Sequence, residues 1–402
     1  METISPLAEK ERIKAVDTLR GFAILGIFLV NMQDFSSPWL YLGIGDLWKS
    51  KIDIGTQIFI DIFAQANFYT LFSMLFGFGM IIFKERINKK GLNFIPMYTR
   101  RLFVLLIFGI IHAFLIWHGD ILISYALVGF LLILFHKAGN KTLLSWAFAL
   151  IIFPALLISV SLFANNGGVY SRFNQTMVNK SIEVYGSGTF LEITAQRIND
   201  WSYVNWQNGL GLVILSLILL PMFLFGAYIA KKRWFHDVEQ HLNTIKKVWL
   251  LSLVIAIIFK SLPYLYEQKG ALFQIQDLIG GPATAIFYAT SIILLMRYKW
   301  WNHKLSYLGY VGRLSLSNYL FQSLVSTTLF YGYGFGLYGK VSPFYGSLIV
   351  IIIFTIQIIL SKLWLSKFII GPAEWVWRSL TYMKVQQFKR VNNSLKNEIY
   401  PK

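Results

Sequence analysis

The 402-residue chain contains no cysteine, so disulfides, thiolate metal sites and thiol nucleophiles are excluded and any chemistry must use other side chains. Charge is scarce as well: 14% of the residues are charged, where an ordinary soluble domain carries about a quarter. Acid is scarcer still, with 19 Asp and Glu against 37 Lys and Arg. A soluble enzyme that is 56% hydrophobic would expose more apolar surface than solubility tolerates. The net charge of +18 would point to nucleic acid in a soluble protein, but here the basic residues flank apolar runs. Membrane lipid is therefore the expected partner, and nucleic acid is not. A cleavable leader is not expected either: the run from Ala23 to Val30 is short, Asn31 follows it, and no small-residue cleavage site is present.

Runs of about 20 apolar residues are long enough to cross the hydrocarbon core, and ten can be placed, near 16–34, 55–83, 102–117, 120–136, 142–163, 205–230, 247–267, 272–296, 306–330 and 344–366. They are continuous, not alternating, which predicts an all-α transmembrane bundle and excludes a barrel. Counted over the connecting segments, Lys and Arg favour the side that holds both termini by about three to one, which predicts cytoplasmic termini in a bacterial plasma membrane. The implied organisation is a five-helix half over 1–163, an outer loop over 164–204 that opens with Asn165, Asn166, Gly167 and Gly168, and a second half over 205–382. A mobile basic tail over 383–402 completes it.

Polar side chains at membrane depth are costly and usually face a bundle interior or a wet cavity. Asp17 and Arg20 lie one turn apart near the inner end of the first span and can pair there, or serve the helix dipole and the headgroups instead. Asn31 sits near its other end. The second span is too long for the bilayer and must tilt, break or start at the interface, and Gln57, Asp61 and Gln65 form a polar stripe on its outer half. Ser73, Gly77 and Gly79 suit close helix packing. The hairpin Ile111–Leu122 gathers His112, His118 and Asp120, so a neutral His112 could act as a general base with Asp120 orienting its ring, or simply pack. No Ser/His/Asp triad and no metal-ligand spacing is legible.

In the eighth span Asp277 precedes a Gly280-Gly281-Pro282 run, read either as a broken helix or as a helix start. In the ninth, Arg313 leads a stripe of Ser315, Asn318, Gln322 and Ser326, which suits either an anionic group or hydrogen bonding between helices. The Tyr331–Gly339 run alternates aromatics with glycine, as an interfacial loop or a sugar-stacking surface would. Gly371–Arg378 reads as a helix lying on the membrane, anchored by Trp375 and Trp377.

Taken together, Val16-Asp-Thr-Leu-Arg-Gly21 with Val30-Asn31, Leu71-Phe-Ser-Met-Leu-Phe-Gly77, the His112 to Asp120 hairpin, Gly312-Arg-Leu-Ser-Leu-Ser-Asn-Tyr-Leu-Phe-Gln322 and Gly371-Pro-Ala-Glu-Trp-Val-Trp-Arg-Ser-Leu-Thr381 resemble the YeiB-like family of bacterial multi-pass membrane proteins. The opening motif is also similar to that of transmembrane acetyltransferases related to the heparan glucosaminide N-acetyltransferase, which use cytoplasmic acetyl-CoA to acylate a sugar on the far side. Those enzymes place a histidine soon after the Val-Asn pair, whereas none occurs here between Asn31 and Ile111. Asp17, Arg20 and Asn31 are the positions that carry over, and His112 becomes the substitute base.

The resemblance thus implies an acyltransferase with acetyl-CoA or another acyl-CoA as donor and no metal. His112, Asp120 and Asn31 would be catalytic, Arg100, Arg101, Arg313 and Asn318 would hold the cofactor, and Asp17, Arg20, Asp61 and Gln322 would line a polar cavity. The acceptor would be a small molecule or glycan. A proton-coupled transporter using Asp61, Asp120 and His112, and a noncatalytic assembly protein, are the competing classes.

Overall fold

Inside a bilayer every backbone amide must be satisfied within its own segment. In the computed structural model, residues 12–164, 173–206, 211–266 and 270–390 are described, and they form helices joined by short turns with no β-sheet among them. The first half comprises α1 (Lys14–Ser36), α2 (Lys51–Phe63), α3 (Asn67–Lys89), α4 (Phe94–Ile111), α5 (Leu122–Ile133) and α6 (Asn140–Ala164). Two helices, α7 (Gln175–Ser187) and α8 (Phe190–Asn205), stand in the region expected as a loop, while Asn165 to Gly168 lie outside the described residues. The second half comprises α9 (Gly211–Lys231), α10 (Leu242–Leu265), α11 (Gly270–Ile275), α12 (Gly281–Leu295), α13 (Lys299–Arg313), α14 (Ser315–Phe330), α15 (Pro343–Lys367) and α16 (Pro372–Tyr382).

Seven helical stretches among the described residues are long and apolar enough to cross a membrane: Lys14–Ser36, Lys51–Lys89, Phe94–Ile116, Asn140–Val160, Leu242–Leu265, Gly270–Leu295 and Pro343–Lys367. Shorter apolar helices, Leu122–Ile133 and Leu217–Lys231, occupy the places of the fourth and sixth expected spans. The long second span breaks at Ala66, which takes a left-handed conformation (φ 61°) between α2 and α3. The Gly280-Gly281-Pro282 run does not break its helix: Gln276–Gly280 forms a wider π turn that continues into α12, with Pro282 in the first turn where its missing N–H costs nothing. The expected ninth span is divided at Leu314 (φ −114°, ψ 35°), which ends α13 and opens α14.

Burial distinguishes the centre of the bundle from its rim. The apolar windows of α1 and of the α2–α3 stretch are 61% and 72% buried, whereas those of α6 and α10 are 17% and 22% buried. Phe153, Leu156, Leu251 and Ile257 accordingly point outward, an arrangement that hydrocarbon favours and water would not. At the centre the helices approach to backbone contact. A side chain at Gly77 of α3 would strike the Phe223 carbonyl of α9, and one at Gly226 would strike that of Met74. Gly21 of α1 and Gly312 of α13 interlock in the same way with Leu308 and Asp17.

The Tyr331–Gly339 segment differs from the expected headgroup loop, because Tyr331 and Tyr338 are buried with ring centroids 4.7 and 5.0 Å from Tyr185 of α7. The first residues of the expected tail are packed too. Ile369 donates to the Phe388 carbonyl at 2.9 Å, and the Phe388 ring lies 5.2 Å from Trp375. Residues 391–402 lie outside the described ones.

Since the obstacle at Gly312 is backbone, Gly312→Leu should cost more than the roughly 1–3 kcal/mol typical of core overpacking. Gly55→Leu, with nothing within 4 Å, is the matched control. Detergent-purified Gly312→Leu protein should aggregate or lose its unfolding transition while Gly55→Leu retains one, and equal transitions would refute the close approach.

Candidate functional site

Where α4 ends, the chain passes through a π turn, His112–Ile116, before α5 begins at Leu122. This widened turn carries His112 inward, and its Nδ1 lies 2.9 Å from Asp120 Oδ1 with both side chains fully buried. The other carboxylate oxygen of Asp120 accepts the backbone N–H of Ile123 at 2.8 Å, which fixes its orientation. His112 Nε2 lies 2.8 Å from Ser323 Oγ on α14. Beside an ionised Asp120, a neutral imidazole carries its proton on Nδ1, Nε2 accepts and the Ser323 hydroxyl donates to it, the Tyr319 carbonyl being a second, longer acceptor for that hydroxyl at 3.4 Å. The result is a Ser323–His112–Asp120 chain, with the Tyr319 ring 5.0 Å from the imidazole.

Tyr319 also lines a cavity of about 240 Å³ within the bundle. Its inner wall is apolar and aromatic, with Ile24, Ile27, Phe72, Leu105, Tyr125 and Tyr319. At the other end it is lined by six arginines, Arg12, Arg20, Arg86, Arg101, Arg313 and Arg378, against two carboxylates, Asp17 and Glu374. The wall contributed by α1 runs from Asp17 to Ile27, about 15 Å at helical rise. Asp17 accepts from Arg12 at 3.0 Å and pairs with Arg20 at 3.4 Å, and the Arg20 side chain keeps 30% of its surface exposed, so solvent reaches this end.

The mouth is closed on one side by α16, which is docked on protein as well as amphipathic. Trp377 donates its indole N–H to the Arg101 carbonyl at 2.8 Å, and the Arg101 guanidinium sits 3.7 Å from the centroid of the Trp377 ring. Glu374 is buried and accepts the Leu316 and Ser317 backbone N–H groups at 2.8 and 3.2 Å and the Ser317 hydroxyl at 2.5 Å. These are the orphan amides at the start of α14. Burial raises the Glu374 carboxyl above the usual carboxylate range although those hydrogen bonds pull it down. Burial, with the neighbouring charge of Arg101, lowers Arg378 to about 10.

With this geometry in view, the chain can be compared with known proteins. The family described as "Protein of unknown function (DUF418)" matches residues 229–384. The uncharacterized protein YxaH of Bacillus subtilis (strain 168) is 41% identical over 400 residues, covering 96% of this chain and 98% of that one. The uncharacterized protein YeiB of Escherichia coli (strain K12) is 28% identical over 397 residues, 92% of this chain and 96% of the relative. The chain belongs to the YeiB-like family. No solved structure matches it.

In this YeiB-like protein the expected site residues do not all come together. His112 and Asp120 are in contact, and Asp17, Arg20, Arg101 and Arg313 line the arginine-rich cavity. Asn318 and Gln322 instead join α14 to α15: Asn318 donates to Ser361 at 3.0 Å and Gln322 to Gln357 at 2.9 Å. Arg100 donates to the Thr381 carbonyl at 3.1 Å and does not line the cavity. Asn31 is half-buried on α1, makes no side-chain hydrogen bond among the described residues and lies outside the cavity wall. Asp61 belongs to a separate buried cluster, accepting from Tyr264 and Gln276 at 2.6 Å, where Lys260 Nζ donates to the Gln65 carbonyl at 2.8 Å and lies 3.9 Å from Asp277. Sequence reasoning missed Ser323, whose partner is 211 residues away, and the converging Arg12, Arg86 and Arg378.

Beyond the triad, at the opposite end from the arginines, His118 Nε2 lies 3.0 Å from Asp34 Oδ2. Burial pulls His118 down, but the charge and hydrogen bond of Asp34, with the charge of Asp200, outweigh it and leave His118 titrating above its ordinary value. A histidine whose folded value is raised contributes stability that is complete below about pH 6.5 and fades as pH rises through the folded value. Unfolding temperatures recorded from about pH 6 to about pH 9 should therefore fall more steeply for the wild type than for His118→Gln. Parallel profiles would show that the pair carries no such linkage.

Proposed function

We propose that this protein is a membrane-embedded acyltransferase that takes an acyl group from cytoplasmic acyl-CoA and passes it to a hydroxyl or amine on the far side of the bacterial plasma membrane. One observation carries the reading: an arginine-lined mouth leads into an apolar shaft that ends at Tyr319, whose ring lies 5.0 Å from the imidazole of the buried Ser323–His112–Asp120 chain. Coenzyme A has phosphates at one end and a long uncharged arm with a thioester at the other. Arginine forks suit the phosphates, and the apolar wall suits the arm and the acyl group. Arg101 and Arg313 are the arginines of the expected cofactor set that lie where the phosphates would, with Arg20 and Arg378 beside them. The abundance of base at this end supports a cytoplasmic position for it.

In this reading His112 removes the proton from the attacking group, and Asp120 holds the ring in the required tautomer and stabilises the imidazolium. Leaving the base buried restricts water, which would otherwise compete as acceptor. Transport is the second reading, and the part-buried Asp61, Lys260 and Asp277 cluster is what favours it, since paired ionisable groups within a helix bundle suit ion coupling.

Thermal unfolding of the purified full chain separates the two. Acetyl-CoA at about 100 times its dissociation constant should add roughly 2.7 kcal/mol of stability, with free CoA and an adenine nucleotide as controls. His112→Ala should keep that shift yet lose transfer by about 100-fold or more, the scale of a positioned base. Absence of any shift at millimolar acetyl-CoA would overturn the acyltransferase reading and turn attention to gradient-driven flux.

A further inference from the structure

The donor cavity and the far end of the bundle are not one chamber. The cavity wall stops at Tyr319, and Ser323 lies one helical turn further along α14, about 6 Å at helical rise. Beyond it the interior is filled by packed rings, with Trp117 against Phe35 at 4.1 Å and Tyr185 against Tyr331 at 4.7 Å. A donor bound at the arginines and an acceptor at the other end would therefore not share a contact surface. Between them stands a hydroxyl already polarised for attack, since Ser323 donates to an imidazole that is itself held by a buried carboxylate.

We propose that Ser323 is a covalent relay: it receives the acyl group from the thioester and holds it as an ester until the acceptor removes it. This rests on the acyltransferase reading and deepens it by naming the nucleophile. In the first half-reaction Ser323 Oγ forms a bond to the thioester carbonyl carbon and gives its proton to His112 Nε2. The carbon–sulfur bond breaks, and the departing sulfur takes that proton as free CoA thiol. In the second, the acceptor O–H or N–H gives its proton to His112 and attacks the ester carbonyl. The carbon–Oγ bond breaks, and Ser323 recovers the proton from His112. The buried Trp117 indole N–H has no acceptor among the described residues, and its ring meets that of His112 edge-on at 6.3 Å, so in this proposal it is the donor available to the oxyanion.

Mixing the purified full-length protein with acetyl-CoA and no acceptor tests this directly. A thiol-reactive dye reads released CoA alone, because the chain has no cysteine. The expected result is a burst of about one thiol per chain, with acid-quenched digestion placing one acetyl ester on Ser323. Ser323→Ala should retain the acetyl-CoA unfolding shift and lose both burst and adduct, and Ser323→Thr should restore part of each. Binding and acceptor-dependent transfer without an adduct in the wild type would overturn the relay while leaving the acyltransferase intact. Absence of acetyl-CoA binding would overturn both.

Discussion

The break at Leu314 leaves the first amides of α14 without partners in their own helix, and the buried carboxylate of Glu374 fills that gap from another helix. Much follows from this one cap. It offsets the positive end of the α14 dipole with a carboxylate, it fixes the direction in which α14 enters the bundle, and it holds α16 over the arginines. With α14 so directed, Tyr319 closes the inner end of the cavity and Ser323 meets His112. The same carboxylate therefore connects the two ends of the path through the helix that lies between them.

Six guanidinium groups around one opening repel each other, and among the described residues two carboxylates line it with them. The fold tolerates the excess because the arginine stems pack along aromatic rings, as Arg101 does on Trp377, and because solvent reaches the charged ends. A bound polyanion would relieve what remains. The deeper polar groups follow the opposite rule: each of His112, Asp120 and Ser323 is satisfied by another member of the set or by one backbone amide.

Much of this was legible in the sequence, for physical reasons that differ by residue. Apolar runs of bilayer length announced the helices, and Gly77 announced close packing because only hydrogen allows carbonyl contact there. His112 and Asp120 could be paired because eight residues separate them in a hairpin. Ser323 could not, since the serine that counts lies beside, not within, the stripe of Ser315, Asn318, Gln322 and Ser326, and its partner sits in another half of the chain. The amphipathic pattern of α16 was equally visible, yet amphipathicity alone does not distinguish a helix lying on lipid from one docked on Arg101 and α14. Polar sequence over 175–205 read as loop because α7 and α8 bury few apolar side chains and are held by local caps such as the Thr189–Glu192 box and by distant polar contacts such as Tyr41 on Asp200 and Arg197 on the Phe114 carbonyl.

The shape of the cavity also sets where an electric field acts. The cavity opens at the arginine end and runs about 15 Å along α1, so, once it is filled by solvent, a potential across the membrane would fall mainly over the packed layer between Tyr319 and the tyrosines around Tyr185. Moving one elementary charge across the whole of such a drop is worth roughly 2.3 kcal/mol per 100 mV. The proton held between Ser323 and His112 lies inside that layer. Its displacement would thus be voltage-sensitive, which links the energised state of the membrane to a side-chain hydrogen bond 2.8 Å long.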